Sequence, residues 1–187
     1  MKVPVVDNGG QWTHREWRVL KYLKVETKII PNTTPADQLD ADGLVLSGGA
    51  PRAGTEAAKL GAIGTYFDCG KFPILAICVS HQYMAMHYGG EAGPSKVPEY
   101  GRVTVYVDGE SRLFSGVPKS FGAWLSHNDE VLKLPDVLRP TAHSDNCRVQ
   151  AMEHSKLPYF GVQFHPEVEH TEHGEKIFRN FLEVCRK

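Results

Sequence analysis

The chain has 187 residues, of which 41% are hydrophobic and 23% are charged, and its formal net charge is −1. This length and composition predict one globular domain, residues 1–187, with a substantial core. The balanced charge, without a dense cluster of Lys and Arg, excludes the electrostatic footprint of nucleic-acid or anionic-membrane binding.

Short apolar runs alternate with helical patterns along the first half of the chain, which predicts an α/β sheet. Alternating valines at residues 103–107 predict a half-buried strand in an antiparallel portion. We therefore expect a mostly parallel central sheet flanked by helices, with a smaller antiparallel portion. The predicted strands are 3–6, 25–30, 43–47, 74–78, 103–107 and 160–164, and the predicted helices are 13–23, 56–68, one directly after residue 78, and 174–186.

The cellular compartment is indicated by the cysteines and by the first residues. The four cysteines are widely spaced and form no CxxC pair, which indicates free thiols in a reducing compartment. No signal peptide or membrane span is predicted before Asp7. A cytoplasmic protein is therefore expected.

The segment ILAICVSHQ, residues 74–82, places a cysteine where a buried strand runs directly into a helix. Ala76 and Ser80, two positions to either side, are small, as a crowded strand-to-helix turn requires. The exposed amides at the start of a helix favour a thiolate. Cys78 is therefore a candidate nucleophile, although a buried structural cysteine is the alternative that this segment alone leaves open.

The segment FGVQFHPEVEHT, residues 160–171, supplies the groups that such a nucleophile needs. A cysteine nucleophile requires a base, and the base requires an orienting carboxylate. His165 and Glu167 follow a predicted strand, and Pro166 fixes the backbone between them. Considered alone, this pair also fits a loop histidine beside a solvated glutamate, but together with Cys78 it indicates a catalytic triad.

Both segments resemble the motifs of the class I glutamine amidotransferases, GxCxGHQ and FHPE, which read AICVSHQ and FHPE here. The resemblance extends over the whole chain and is most specific to the separate amidotransferase subunits of archaeal GMP synthetases. The sequence VEHT after FHPE discriminates best, because other members of the class usually continue differently. The other similar segments are DNGGQWTHREWRVLKYL, LVLSGGAP, PEYGR, WLSHNDEV, AHSDNC and GVQFHPEVEHTEHGEKIFRNF.

The resemblance implies a role for each motif residue. Cys78 would attack the side-chain amide of glutamine, with His165 as base and then acid and Glu167 orienting it. Ammonia would leave and a glutamyl thioester would remain. The backbone amides of Gly49 and Val79 would form the oxyanion hole, with glycine allowing close approach of the backbone to substrate.

The resemblance further implies that Gln82, Ser126 and His127 bind the amino-acid end of glutamine. Two departures from the family pattern bear on the site. Ala76 and Ser80 stand where glycines are usual, so we expect a strained but intact turn. SGGAP replaces the usual SGGP, which is expected to change how the amide of Gly49 is presented.

The resemblance also implies a partner, a separate ATP pyrophosphatase subunit that binds ATP, Mg²⁺ and XMP and receives the ammonia. No cofactor is expected in this chain. We expect docking around the mouth of the active site, at His81, PEYGR (98–102) and HTEHG (170–174), and low glutaminase activity until the loaded partner docks.

Several other patterns are set aside. SGGAPRAG lacks the GK[ST] ending of a P-loop, so no nucleotide site is predicted. The histidines and glutamates of residues 165–173 lack the HExxH spacing, so no metal site is predicted. Trp12 and Trp17 are assigned to core or interface.

Three alternatives to this function remain open from the sequence. The chain could be the amidotransferase subunit of another synthetase, such as anthranilate synthase. It could also be a non-catalytic regulatory relative whose site has decayed, or a stand-alone cysteine hydrolase. The presence of Cys78, His165 and Glu167 together favours an active glutaminase over the regulatory relative.

Overall fold

Nine strands form one mixed sheet in the computed structural model, which describes residues 1–186. Lys187, the last residue of the predicted domain, lies outside the described residues. The strands are β1 (Val5–Asp7), β2 (Ile29–Pro31), β3 (Leu44–Leu46), β4 (Ile74–Ile77), β5 (Glu91–Val107), β6 (Ser120–Lys133), β7 (Leu138–His143), β8 (Ala151–His154) and β9 (Tyr159–Val162). The helices are α1 (Thr13–Tyr22), α2 (Ala53–Glu56), α3 (Ile63–Cys69), α4 (Val79–His87) and α5 (Gly174–Cys185).

The first five strands in the sheet order β2-β1-β3-β4-β9 are parallel, and we call them the parallel half. Strands β3, β4 and β9 are buried along their whole length. Strands covered on both faces consist of continuous apolar runs, which is why their sequences predicted them. Their carboxyl ends lie along one edge of the sheet, where ligands bind in open α/β folds.

The remaining order, β8-β7-β5-β6, is antiparallel throughout and forms the antiparallel half. The long pair β5 and β6 runs from Glu91 opposite Lys133 to Tyr106 opposite Ser120, with an irregularity between Pro94 and Glu99. The predicted mixed fold with a parallel and an antiparallel portion is confirmed. Strands β6, β7 and β8 were not predicted, since their polar and apolar residues follow no simple alternation.

The predicted helix at 56–68 is wrong in its extent. The segment forms α2, a 3-10 turn at Ala57–Leu60 and the separate helix α3. Gly61 interrupts it with φ +60°, and the Ala62 amide donates to the carbonyl of Asn32 at 2.7 Å. A Cβ at position 61 would lie 2.6 Å from that same oxygen, so the break depends on glycine.

The core lies on both faces of the sheet. One apolar cluster joins α1 and α5 to the sheet and includes Phe164, Phe178 and Phe181. The other cluster, under α3 and α4, includes Tyr66 and Tyr159. The predicted strand at 25–30 is wrong in its extent, because continuous pairing covers residues 29–31 at the sheet edge, and Glu26 forms only an isolated bridge with Lys2.

Two simple expectations can be checked on the whole fold. Among residues 1–186, no helix has the length and apolar character needed to cross a membrane. The four cysteines are free thiols, as the sequence predicted.

Candidate active site

Cys78 stands at the junction of β4 and α4 in a strained backbone conformation. Its φ is +53° and its ψ is −109°, a region that non-glycine residues rarely adopt. The Cys78 amide donates to the carbonyl of Val162 at 2.8 Å, and its carbonyl accepts the Gln82 amide at 3.1 Å. These bonds hold the sharp turn that aims a nucleophile out of the end of a sheet.

The two residues that replace the usual glycines fit this turn. Ala76 is fully buried in β4, opposite Leu46 and Gly161. The hydroxyl of Ser80 donates to the carbonyl of Ser47 at 2.7 Å and accepts the side-chain amide of Asn8 at 2.9 Å. The turn therefore forms with both side chains present. The Ser80 hydroxyl occupies space that a glycine would leave empty, and it makes two hydrogen bonds there.

His165 and Glu167 form a buried pair. Nδ1 of His165 lies 2.7 Å from Oε1 of Glu167, and both side chains are at most 6% exposed. Burial alone would lower the pKa of His165, but the negative charges of Glu167 and of the Cys78 thiolate outweigh it and raise this pKa to about 10. The pair can therefore hold a proton beside the nucleophile.

The backbone of His165 is held by the antiparallel half. Its amide donates to the carbonyl of Trp124 on β6 at 2.9 Å, and its carbonyl accepts the hydroxyl of Thr171 at 2.7 Å. The same hydroxyl accepts the amide of Trp124 at 2.9 Å. One threonine after the FHPE motif thus joins the histidine to a distant strand.

The residues predicted to form the oxyanion hole line the same cavity as Cys78. Val79 begins α4, so its amide has no acceptor within the helix. A side chain at Gly49 would collide with the carbonyl of Asn8. Packing against Asn8 is thus a reason for glycine at this position, in addition to the predicted close approach of the backbone to substrate. A Cβ at Gly48 would lie 3.1 Å from Cε1 of His165 and 3.5 Å from Cβ of Cys78. The loop that contains Gly48 and Gly49, which we call the glycine loop, therefore packs directly on Cys78 and His165.

A cavity of about 610 Å³ opens above the nucleophile, and its lining is both polar and apolar. Cys78, Ser126, His165 and Glu167 lie on its wall together with the glycine loop. Its volume is that of a small-molecule site. All the predicted site residues are among its lining residues, which are Cys78, His165, Glu167, Gly49, Val79, Gln82, Ser126 and His127.

Gln82 belongs to a chain of hydrogen bonds that ends at the nucleophile. Its Nε2 donates to the carbonyl of Asp129 at 2.7 Å and to Oε1 of Gln163 at 3.0 Å. Gln163 in turn contacts Sγ of Cys78 through its Nε2 at 3.6 Å. Both side-chain hydrogens of Gln82 are thus engaged, so its carbonyl oxygen is the atom left to meet a ligand.

The imidazole of His127 is engaged in a buried polar cluster next to the cavity. Its Nδ1 lies 2.9 Å from the carbonyl of Asp129, and its Nε2 lies 3.0 Å from Oε2 of Glu99. Ser144 and Gln150 donate to the same carboxylate at 2.6 Å each. Substrate contact by His127 is therefore confined to its other atoms.

The same cluster holds a set of possible metal ligands that the sequence did not indicate. Potential ligand atoms of Glu99, His127 and Cys147 lie within 4.8 Å of one another. Both oxygens of Glu99 and both ring nitrogens of His127 already have protein partners. The ring nitrogens and carboxylate oxygens are thus already engaged in a polar network that joins β5 to β6.

Four residues of the cavity were missed or misassigned from the sequence. Trp12, assigned to core or interface, lies edge-on to His165 with ring centroids 4.4 Å apart. Glu16 reaches the cavity from α1, although its helical pattern gave no sign of it. Arg52 forms a two-pronged pair with Asp129 across the cavity, with Nε 2.9 Å from Oδ2. Only the tertiary structure brings these side chains together.

The expected docking position of His81 is wrong. Its side chain is fully buried behind the nucleophile turn, and its Nε2 lies 3.1 Å from the carbonyl of Val149. Burial lowers the pKa of His81 to about 3, so the ring is neutral. Tyr100, from the predicted segment PEYGR, does line the cavity and is 57% exposed, and Val97 beside this segment is 48% exposed.

Comparisons with known proteins agree with this geometry. A protein of Thermoplasma acidophilum, named as one subunit of glutamine-hydrolyzing GMP synthase, is 50% identical over 99% of this chain and 93% of its own length. The protein of the same name from Methanocaldococcus jannaschii is 48% identical, over 98% and 97% of the two chains.

Solved structures agree as well. The crystal structure of a putative GMP synthase subunit from Thermoplasma acidophilum has a TM-score of 0.94, with 50% identity over 99% of this chain and 94% of that chain. A glutamine amidotransferase from Thermotoga maritima has a TM-score of 0.77 at 17% identity, over 98% and 81% of the chains, and shows the shared fold.

The sequence model of the family described as "Glutamine amidotransferase class-I" matches residues 4–185, nearly the whole chain. The match includes the nucleophile turn, the glycine loop and the His165–Glu167 pair. The chain therefore belongs to the class-I glutamine amidotransferase family.

Proposed function

We propose that this chain is the glutamine-hydrolysing subunit of a two-subunit GMP synthase. The observation that carries the proposal is the Cys78–His165–Glu167 arrangement in one cavity of a chain about half identical to proteins named as GMP synthase subunits. A regulatory relative with a decayed site would have no need for the strained turn at Cys78.

The first half of the proposed reaction forms a covalent intermediate. Sγ of Cys78 attacks the side-chain carbonyl carbon of glutamine, and the carbonyl oxygen takes up the negative charge. The amides of Gly49 and Val79 stabilise that oxyanion, and such donors typically contribute about 3 kcal/mol. The proton held by His165 passes to the nitrogen, the C–N bond breaks, and ammonia leaves a glutamyl thioester.

The second half regenerates the thiolate. His165, now neutral, takes a proton from water, and the resulting hydroxide attacks the thioester carbon. The C–S bond breaks, the sulfur leaves as the thiolate beside the protonated His165, and glutamic acid leaves and ionises. The sum is one glutamine and one water converted to one glutamate, one proton and one ammonia. Glu167 keeps the imidazole oriented through both halves by its bond to Nδ1.

The ammonia is used on a second protein in this proposal. The relatives are each named as one subunit of the synthase, which implies a separate partner subunit. We assign to that partner, an ATP pyrophosphatase, the binding of ATP, Mg²⁺ and XMP and the conversion of XMP to GMP. This chain requires no cofactor of its own for the glutaminase step, and its cytoplasmic location stays a prediction.

The partner docks, in this proposal, at the cavity mouth formed by the loop at residues 94–100. Pro94, Ser95, Pro98 and Tyr100 line the opening, and Val97 beside them is 48% exposed. Uncoupled hydrolysis would waste glutamine, so glutaminase activity is low until the loaded partner covers this loop.

The test is glutamate release from glutamine by this chain, alone and with the candidate partner plus XMP, ATP and Mg²⁺. We expect activity that rises with the loaded partner and vanishes in Cys78→Ala. In the control, IMP replaces XMP in the same mixture. This control shows whether the partner with ATP raises glutamate release when XMP, the proposed ammonia acceptor, is missing.

The two parts of the proposal fail separately. Equal activity with and without the partner would contradict the gating. Absence of glutamate release in every mixture would contradict the glutaminase assignment itself and return the chain to the regulatory alternative.

A further inference from the structure

Glu16 lies in the catalytic cavity, although no step of the proposed reaction uses it. It belongs to the first turn of α1 and is 1% exposed. It lines the cavity together with Cys78, His165 and Glu167. A buried carboxyl group is unfavourable unless it is neutral or paired, so its presence here requires an explanation.

The contacts of Glu16 do not include a cation. Its Oε1 accepts the amide of Gly48 at 3.4 Å, and its Oε2 is buried without a hydrogen-bond partner among residues 1–186. No lysine or arginine pairs with it in the described part of the chain. Oε2 of Glu167 is buried and unpartnered in the same way. Two buried carboxyl groups, each with one oxygen unpartnered by any described residue, thus line the same cavity as His165.

The charges that face Glu16 come from three parts of the fold. Glu167 and His165 follow β9, Asp7 ends β1, and Cys78 lies on the turn after β4. Burial and then the negative charge of Glu167 raise the pKa of Glu16 well above its ordinary range, and the positive charge of His165 offsets only part of this. The neutral acid of Glu16 is therefore favoured more than that of an exposed glutamate.

We propose that Glu16 is a positioning residue that works as a neutral acid, holding the glycine loop by its bond to the Gly48 amide while adding no charge beside Glu167. The proposal deepens the proposed function and rests on it. The position of Gly48 affects His165 directly, because the two residues are packed so closely that a Cβ on Gly48 would lie 3.1 Å from Cε1 of His165. An ionised Glu16 would instead repel the Cys78 thiolate and the negative charge that develops on the oxyanion.

The test compares Glu16→Gln and Glu16→Ala with the wild-type chain in the presence of the loaded partner, measuring kcat and KM for glutamate release across pH. Glu16→Ala removes the acceptor for the Gly48 amide, and we expect kcat to fall about tenfold with little change in KM. Glu16→Gln restores a neutral acceptor and should rescue most of that loss. It should also remove the fall in kcat that ionisation of Glu16 causes in the wild type at high pH.

A matched control is Glu153→Gln, which changes a buried carboxylate outside the cavity. Glu153 accepts from Ser111 at 3.0 Å and pairs with Arg139. We expect its pH profile for glutamate release to follow the wild type. A profile that shifts equally in both Gln variants would overturn the assignment to Glu16.

Two results would overturn the proposal directly. One is Glu16→Gln being as impaired as Glu16→Ala, which would mean that the charged form is needed. The other is a Glu16→Gln profile with the same high-pH fall as the wild type, which would remove Glu16 from the electrostatics of the site.

A second measurement does not depend on activity. In the wild type with ¹³C-labelled glutamate, a carboxyl signal of the protonated form should persist at neutral pH and disappear in Glu16→Gln. Absence of this carboxyl signal would overturn the proposal for Glu16, whether or not any mixture releases glutamate. Absence of glutamate release would contradict the proposed function instead, so the two failures can be told apart. Because the raised pKa belongs to the folded state, the free energy of unfolding should fall as pH rises from the ordinary glutamate range, less so in Glu16→Gln.

Discussion

The parallel half and the antiparallel half of the sheet contribute different things to the active site. In the parallel half, each of the strands β3, β4 and β9 is followed within three residues by a group of the proposed reaction, at Gly49, Cys78 and His165. In the antiparallel half, the contributions are holding contacts, such as those of Trp124 and Asp129. Chemistry comes from local strand–turn segments, whereas alignment comes from residues that are distant in sequence.

The largest effect is expected for removal of the base in the parallel half. His165→Ala leaves the thiol without a proton acceptor and should lower kcat for glutamate release by about 10³-fold or more. His143→Ala is the control, since His143 lies on β7 in the antiparallel half and pairs with Asp108 at 2.8 Å. A loss of less than about tenfold in His165→Ala would contradict its role as base.

Next come paired glycine substitutions, one in each half. Gly48→Ala places a methyl group 3.1 Å from Cε1 of His165, where the neighbour is fixed by its bond to Glu167. We expect kcat to fall by about ten- to a hundredfold. Gly93→Ala places a methyl group at the same 3.1 Å, but from the flexible end of Leu132, and should leave kcat nearly unchanged. If steady-state assays found a larger loss of kcat in Gly93→Ala than in Gly48→Ala, the stated difference between the two halves of the sheet would be contradicted.

A smaller effect is expected where this chain departs from the usual glycine. Ser80→Gly removes a buried hydroxyl that joins Asn8 to Ser47, and the free energy of unfolding should fall by about 1–2 kcal/mol. Denaturant unfolding measures this, with the exposed Ser155→Gly as control. An increase in stability would show instead that the serine strains the turn.

The smallest effect is expected at the pair that joins the two halves over the cavity. Arg52 follows the glycine loop and pairs with Asp129 on β6, but the Arg52 side chain is 51% exposed. Exposed pairs are weak and screened by salt, so Arg52→Ala should raise KM for glutamine about threefold at low salt and less at high salt. Arg179→Ala, which breaks an exposed pair with Glu175 on α5, is the control. An effect independent of salt would mean that Arg52 acts by packing rather than by charge.

The contrast between local segments and contacts over long sequence distances also explains how much of the fold could be predicted from the sequence. The buried strands at residues 44–46, 74–77 and 159–162 were predicted, because apolar runs covered on both faces are visible in any window of sequence. The helix at 56–68 was predicted as continuous, because its break depends on a contact between Gly61 and Asn32 far apart in sequence. Strands β6, β7 and β8 were missed for a related reason, since each is held by pairing with a neighbouring strand, β6 with β5, β7 with β5 and β8, and β8 with β9.

The sequence by itself identified the candidate reactive groups of this protein. Cys78, His165 and Glu167 lie in two short motifs, and each motif carries its own strand and turn, so local physics suffices to identify them. The tertiary structure alone decided the surroundings: the engagement of His127 with Glu99, the burial of His81, and the arrival of Glu16 beside Glu167. The reason is that burial and charge proximity are sums over distant segments, and no single segment of the chain contains them.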